Sequence, residues 1–110
     1  MYKVSVMYQL KEGGKFDIDY YCTKHRELVE KYMKPYGLLR FEVLRGISGG
    51  ENAAPVYACI GNLYFDALEG YEKAVAASKG ALRNDIPNFT NLTPIRQISE
   101  IVGESGLKLK

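Results

Sequence analysis

The only histidine of the chain, His25, closes the segment FDIDYYCTKH at residues 16–25 and falls on the apolar side of a helical pattern. An imidazole suits acid–base chemistry near neutral pH, because its unperturbed pKa is about 6.5. The functional interpretation makes His25 a general acid or base in a pocket, with Tyr21 one helical turn away as its catalytic neighbour. The alternative is a neutral core histidine whose ring N–H is bonded to a carbonyl or a tyrosine hydroxyl.

Four further residues are candidate substrate-binding groups. Tyr8 and Tyr64 belong to apolar strand patterns, and a buried phenol there needs a hydrogen-bond partner; plain core packing is the alternative for each. Asn62 is polar in an otherwise apolar strand, so it lines either the cavity or a subunit interface. Asp85 begins DIPNFTN at residues 85–91 and could carry a proton or orient His25, although a turn-forming aspartate is the commoner explanation.

Several other chemistries have no support in the sequence. The two cysteines, Cys22 and Cys59, lack C-x-x-C spacing and a second histidine, so we expect no metal site and two reduced thiols. Phosphate-binding glycine motifs are absent, and we expect no cofactor. A net charge of +2 with dispersed lysines is too mild for a nucleic-acid or membrane surface. No apolar run or leader pattern is present, so we expect a cytoplasmic protein.

The length of the chain predicts one domain, residues 1–103, with a tail at 104–110. The periodicity of its apolar residues predicts the strands and helices that must position these groups. Strands are predicted at 2–8, 39–47, 56–65 and 95–102. A first helix starts at its N-cap Asp17 and ends at Pro35 and Gly37. A second helix has Asp66 and Glu69 as a capping box and is weakened or bent at Gly80. The order β-α-β-β-α-β predicts an α+β, ferredoxin-like fold, with a four-stranded antiparallel sheet and both helices on one face.

The third predicted strand, YACIGNLYF, carries no charged residue on either side. Helices can cover only one face of such a sheet, so an uncharged second face indicates an association surface. Self-association most often gives a two-fold dimer. We therefore expect a homodimer that pairs through the open sheet face.

Four segments together are similar to the EthD family of the dimeric α+β barrel superfamily: FDIDYYCTKH, IGNLYFDALEGYEKA, DIPNFTN and PIRQISEIV. They cover nearly the whole chain in order, although the family often has proline where this chain has Glu27. The resemblance implies a ferredoxin-like protomer that pairs into a dimeric barrel, in a family named for ethyl tert-butyl ether degradation. Relatives in the superfamily include lactone isomerases, polyketide cyclases and cofactor-independent oxygenases.

Three functions remain open from the sequence, and the last of them is a purely structural or regulatory dimer in which the space beside His25 is packed solid. The first is cofactor-free acid–base chemistry on a small apolar, oxygenated molecule, with His25 moving a proton and Tyr21 or Tyr8 stabilising a developing oxyanion. Such an enzyme would be an isomerase, a cyclase or a monooxygenase-like protein in the catabolism of organic compounds. The second is a dimer that binds a ligand or assists a degradative pathway without catalysing a reaction.

Overall fold

The computed structural model describes residues 1–106 and confirms the predicted ferredoxin-like fold. Four antiparallel strands form one sheet in the order β2-β3-β1-β4. β3 is paired on both sides, with β1 and β2. The strand bounds are β1 Tyr2–Gln9, β2 Leu38–Arg45, β3 Tyr57–Phe65 and β4 Pro94–Glu100.

The first helix is continuous from Ile18 to Met33, but it is not regular throughout. Asp17 is its N-cap as predicted, and its side chain accepts a bond from the amide of Tyr20 at 3.0 Å. The pattern predicted one α-helix, whereas residues Tyr21–His25 form a π-helical turn between the α-helical segments Ile18–Tyr20 and Arg26–Met33. π-helical turns are rare overall, and those that occur often lie at functional sites.

The second helix, Leu68–Ser78, begins later than predicted. Asp66 is not its N-cap: Ala67 occupies that position in extended conformation and makes no side-chain capping bond, so the expected capping box is wrong. Gly80 was predicted to weaken or bend this helix, whereas the helix ends before it, at Ser78 with Lys79 as C-cap; Gly80 follows with a φ of +83°, a left-handed value that glycine adopts without strain. A short third helix, Ala81–Asp85, follows and passes into a 3-10 turn at Ile86–Asn88.

Both long helices pack on the same face of the sheet. Val4, Leu63 and Phe65 form the strand side of the main apolar core, which the helices complete with Val29, Met33, Tyr71 and Ala74. A second cluster lies at the other end of this face and consists of Tyr8, Tyr21, Cys59, Phe89 and Leu92. Alternate strand residues point to the opposite side, here called the open face; it includes Ser5, Glu42, Leu44, Ile60, Asn62, Tyr64, Ile95 and Gln97.

Three strands are shorter than predicted: β3 was expected to begin at Val56 but begins at Tyr57, and the other two end early. β2 was expected to reach Ile47 but ends at Arg45, and Ile47 is 78% exposed. β4 was expected to reach Val102 but ends at Glu100. In the described part of the chain no helix is long and apolar enough to cross a membrane. Residues 107–110 of the predicted tail lie outside the described residues, and the division at residue 103 stays a prediction.

Candidate functional site

A cavity of about 490 Å³ opens between the helices and the helix-facing side of the sheet. Much of its lining is aliphatic, with Val6 and Leu63 from the strands and Val29 and Met33 from the first helix. The polar lining is confined to a few side chains, which are Tyr8, Tyr21, His25, Tyr71, Ser78, Arg83, Thr93 and Arg96. An apolar hollow with a few converging polar groups is typical of a small-molecule site.

His25 and Asp85 meet beside this cavity, although 60 positions separate them in the sequence. Nδ1 of His25 lies 2.9 Å from Oδ2 of Asp85, and the two residues are only 6% and 7% exposed. The other oxygen of Asp85 accepts bonds from the Tyr20 hydroxyl at 2.7 Å and from Nδ2 of Asn88 at 2.9 Å. Both oxygens of the carboxylate are therefore held in place.

These contacts determine the protonation states of the pair. Burial lowers the pKa of His25, and this effect outweighs the bond and the negative charge of Asp85, which act in the opposite direction. Burial raises the pKa of Asp85, but bonds from Asn88, His25 and Tyr20 more than offset that and lower it overall. At neutral pH the pair is therefore a neutral imidazole beside a carboxylate.

A carboxylate only accepts hydrogen bonds, so the imidazole proton must lie on Nδ1 and the lone pair on Nε2. Nε2 of His25 forms no hydrogen bond with any residue of 1–106. No buried side-chain nitrogen or oxygen in these residues lacks a partner, so Nε2 must remain accessible. Because His25 lines the cavity, we infer that this lone pair is available to a bound molecule.

The π-helical turn places Tyr21 against His25. Their rings stack with centroids 5.0 Å apart and an angle of 12°, while the ring of Phe89 lies 4.8 Å from the imidazole on a tilt. The hydroxyl of Tyr21 reaches down to the sheet at Gly61. A Cβ at Gly61 would lie 2.2 Å from that oxygen, so only glycine leaves room for the phenol there. This packing fixes the plane of the imidazole.

Tyr8 and Tyr21 supply two phenols to the cavity that His25 lines, and the ring of Tyr21 stacks on the imidazole. Their rings lie edge to face at 5.9 Å, and both residues line the cavity. Burial raises the pKa of both hydroxyls above the ordinary tyrosine value. They therefore stay protonated and remain hydrogen-bond donors over the whole physiological range.

Four of the six predicted site residues are thus together: His25, Tyr21, Tyr8 and Asp85. Asn62 and Tyr64 lie on the open face, away from the cavity. There Asn62 accepts a bond from the Ser5 hydroxyl at 2.7 Å and donates to Glu42 at 2.9 Å, and Tyr64 also donates to Glu42. Of the two places considered for Asn62, the structure excludes the cavity, and a subunit interface on the open face stays a prediction. Substrate binding by either residue stays a prediction.

Sequence reasoning missed four residues of the site. Tyr20 and Asn88 hold Asp85, and Arg83 and Arg96 line the cavity. Asn88 had a usable signal, since an amide three residues after an aspartate often bonds to it in a turn. Arg96 had another, because its place in the last strand puts it in register with Val6 on the helix-facing side.

Among the described residues, no group of three or more His, Cys, Asp and Glu side chains could hold a metal ion. Both cysteines are free, and burial raises the pKa of the Cys59 thiol to about 12. The Cys59 thiol is therefore not activated in the way a nucleophile would be.

Residues 15–93 match the model of the EthD domain. The chain belongs to the EthD family. An EthD-like protein from Ralstonia eutropha JMP134 is 31% identical, with a TM-score of 0.86 and 94% of each chain covered. An EthD (ethyl tert-butyl ether) family protein from Bacillus halodurans C-125 is 24% identical, with a TM-score of 0.68 over 91% of this chain and 97% of its own.

The fold of this EthD chain also occurs in more distant proteins. A dimeric ferredoxin-like protein from an uncultured marine organism is 13% identical, with a TM-score of 0.62 over 97% of this chain and all of its own. A likeness at that identity shows the fold alone. No protein of curated function matches the chain.

Proposed function

We propose that this EthD-family protein binds a small, partly apolar, oxygenated molecule in the cavity and that His25 transfers a proton to and from it. One observation carries the proposal: Asp85 holds Nδ1 of His25 at 2.9 Å, so the lone pair lies on Nε2 of a residue that lines the cavity. A base oriented by a buried carboxylate is a recurring arrangement in general acid–base catalysis. No cofactor takes part in the proposed step.

The proton balance of the step is simple. Nε2 takes a proton from a carbon next to a substrate carbonyl; the electron pair of that C–H bond forms a C=C bond to the carbonyl carbon, and the π pair of the carbonyl moves onto its oxygen to give an enolate. The imidazolium that forms is stabilised by Asp85, whose lowered pKa keeps it ionised. Return of the proton to a different atom of the enolate gives an isomer and restores the neutral imidazole.

The enolate oxygen needs hydrogen-bond donors, and we assign this role to the phenols of Tyr8 and Tyr21. Both line the cavity with His25 and stay protonated, so they donate to an oxyanion without first losing a proton. The stacked ring of Tyr21 also keeps the imidazole in one plane. Tyr21 would thus act on the substrate and on His25 at once.

We also propose that two copies pair through the open face. This face presents Leu44 and Ile95, which are 44% and 47% exposed, around the bonded side chains of Asn62 and Glu42. The related marine protein is described as dimeric. Ile60→Glu, which places a charge in the middle of this face, should give a monomer by light scattering at micromolar concentration. A dimer that persists in this variant would contradict the pairing.

The test of the catalytic proposal is a screen of small lactones and enolisable ketones for deuterium uptake from D₂O, followed by NMR. We expect His25→Gln to lower the rate for any accepted compound by about 10²–10⁴-fold, the usual contribution of a general base. Asp85→Asn should lower it less, and Asp19→Asn, on the exposed side of the first helix, should not change it. An undiminished rate in His25→Gln would overturn the catalytic assignment.

Binding without turnover is the second candidate function, and the largely aliphatic lining of the cavity favours it. It predicts that ligands raise the melting temperature although no compound exchanges deuterium faster than in buffer. In that case His25→Gln should leave the thermal shift nearly unchanged.

A further inference from the structure

The charged groups of the cavity all have one sign. Among the described residues that line it, two are arginines, Arg83 and Arg96, and none is an aspartate or a glutamate. Asp85 lies behind His25 and does not line the space itself. A hollow with apolar walls and charges of a single sign concentrates ligands of the opposite charge.

The two guanidinium groups come from different elements and form no ion pair with any residue of 1–106. Arg83 belongs to the short third helix, and Arg96 belongs to β4, where it pairs in register with Val6. The ion pairs formed within residues 1–106 involve other side chains, so neither arginine has a carboxylate within 4.0 Å there. An arginine presents a planar fork of donors that fits a carboxylate, and here two such forks border one cavity.

The charge of Arg96 acts on the interior of the cavity. Burial raises the pKa of Tyr8 and of Tyr71, and Arg96 acts on both in the opposite direction. Both tyrosines line the same space as His25. The positive potential of Arg96 therefore reaches two of the tyrosines that line the cavity.

We propose that the natural ligand is a small organic anion, with a carboxylate held by Arg83 and Arg96 and an apolar body directed toward Met33 and Leu63. This inference rests on the proposed function, because it assigns a ligand class to the same cavity. Two features of the cavity fit such a ligand, and the second of them separates it from a neutral one. The aliphatic lining accepts a hydrocarbon body, and the unpaired arginines fix the end that carries the charge.

The test compares two probes that differ in charge and hardly in shape, 2-naphthoate and 2-naphthalenemethanol. Binding to the full chain is measured by calorimetry at pH 7.5, where His25 is neutral and adds no positive charge. We expect the carboxylate to bind about tenfold or more tightly than the alcohol. High salt should lower the affinity of 2-naphthoate but not that of 2-naphthalenemethanol, because salt screens charges and does not weaken apolar contacts.

Variants identify the source of the preference. The double variant Arg83→Gln/Arg96→Gln should bind both probes with similar affinity, and Arg96→Lys should keep part of the preference because it keeps the charge. Arg45→Gln changes an exposed arginine outside the cavity and should behave as the unaltered protein. These arginines are exposed, so the substitutions should not impair folding.

The possible failures are distinguishable. Equal affinity for the two probes in the unaltered protein would overturn the anion inference and leave the proposed cavity intact. A preference for 2-naphthoate that survives in the double variant would also overturn it. Absence of binding by either probe, and by the compounds of the lactone and ketone screen, would overturn the proposed function itself.

Discussion

The two faces of the sheet each carry a buried polar network. The networks differ in whether a hydrogen-bonding atom is left without a protein partner. On the helix-covered face, Asp85 is fully bonded, whereas its partner His25 keeps one ring nitrogen without a bond to any described residue. On the open face, Asn62 bonds to Ser5 and Glu42 and is only 2% exposed. The first network therefore includes an unbonded atom of a residue that lines the cavity, whereas the side chain of Asn62 in the second is bonded to neighbouring residues of the same face.

The presence of an unbonded atom distinguishes a candidate site residue from a structural polar residue better than polarity alone does. Asn62 is as conspicuous in its apolar strand as His25 is in its helix, yet its hydrogen-bonding groups already have protein partners. A ligand would have to break those bonds to use it, which costs free energy. Nε2 of His25 offers a lone pair without any such cost.

The largest effect on stability should come from adding a methyl group to Gly61, beneath Tyr21 on the helix-facing side of the sheet. Gly61→Ala would place Cβ 2.2 Å from the Tyr21 hydroxyl and should lower the free energy of unfolding by about 3 kcal/mol, since a packed core does not absorb such a clash. Urea unfolding measures it. Gly103→Ala is the control, because nothing lies within 4 Å of its added Cβ.

A second substitution shows whether the clash is with the phenol. Tyr21→Phe removes the oxygen that the new methyl group would meet, so the double variant Gly61→Ala/Tyr21→Phe should recover a large part of the lost stability. If the two losses simply add, Tyr21 does not depend on the glycine in the way described.

A smaller effect should come from opening the network on the other face. Asn62→Ala removes a donor from Glu42 and an acceptor from Ser5, and should lower the free energy of unfolding by about 1–2 kcal/mol. The pKa of His25, followed by NMR, should not change, because the two networks lie on opposite sides of the sheet. A clear shift of that pKa would contradict their independence.

The smallest effect is a dependence of stability on pH that belongs to His25. Its pKa is lowered in the folded chain, so the unfolded chain takes up a proton first as the pH falls. The free energy of unfolding should therefore decrease as the pH falls from 7 through 6.5 to the lower, folded pKa. The lowered pKa of Asp85 acts separately, at pH values below its ordinary 3.8.

Urea unfolding at fixed protein concentration between pH 8 and 5 measures the His25 contribution. His25→Gln should lose it, and Asn62→Ala on the open face should keep it. An equal slope in the unaltered protein and in His25→Gln would mean that other groups produce the decrease.

Periodicity predicted the four strands, the two long helices and the apolar face on which His25 lies. The alternation of β3 also separated Asn62 and Tyr64 from Cys59 and Gly61, but it did not say which set faces the helices. The predicted start of the second helix was wrong because two neighbouring residues compete for the N-cap position. Ala67 is the N-cap, although Asp66 has the better side chain for it.

The site was less predictable than the fold. His25 and Asp85 could be named as candidates, but their contact spans 60 residues and depends on how the short third helix packs. The π-helical turn has no signal in a pattern based on 3.6 residues per turn. Arg96 was overlooked because an arginine in an edge strand ordinarily points to solvent.

The central claim is that Asp85 holds the proton of His25 on Nδ1 and leaves Nε2 free to act. Long-range ¹H–¹⁵N correlation NMR on uniformly ¹⁵N-labelled protein tests it directly, because a chain with one histidine gives one set of ring signals. At pH 7.5 we predict a neutral ring with the proton on Nδ1. A ring that carries its proton on Nε2, or that is still protonated on both nitrogens at this pH, would contradict the account.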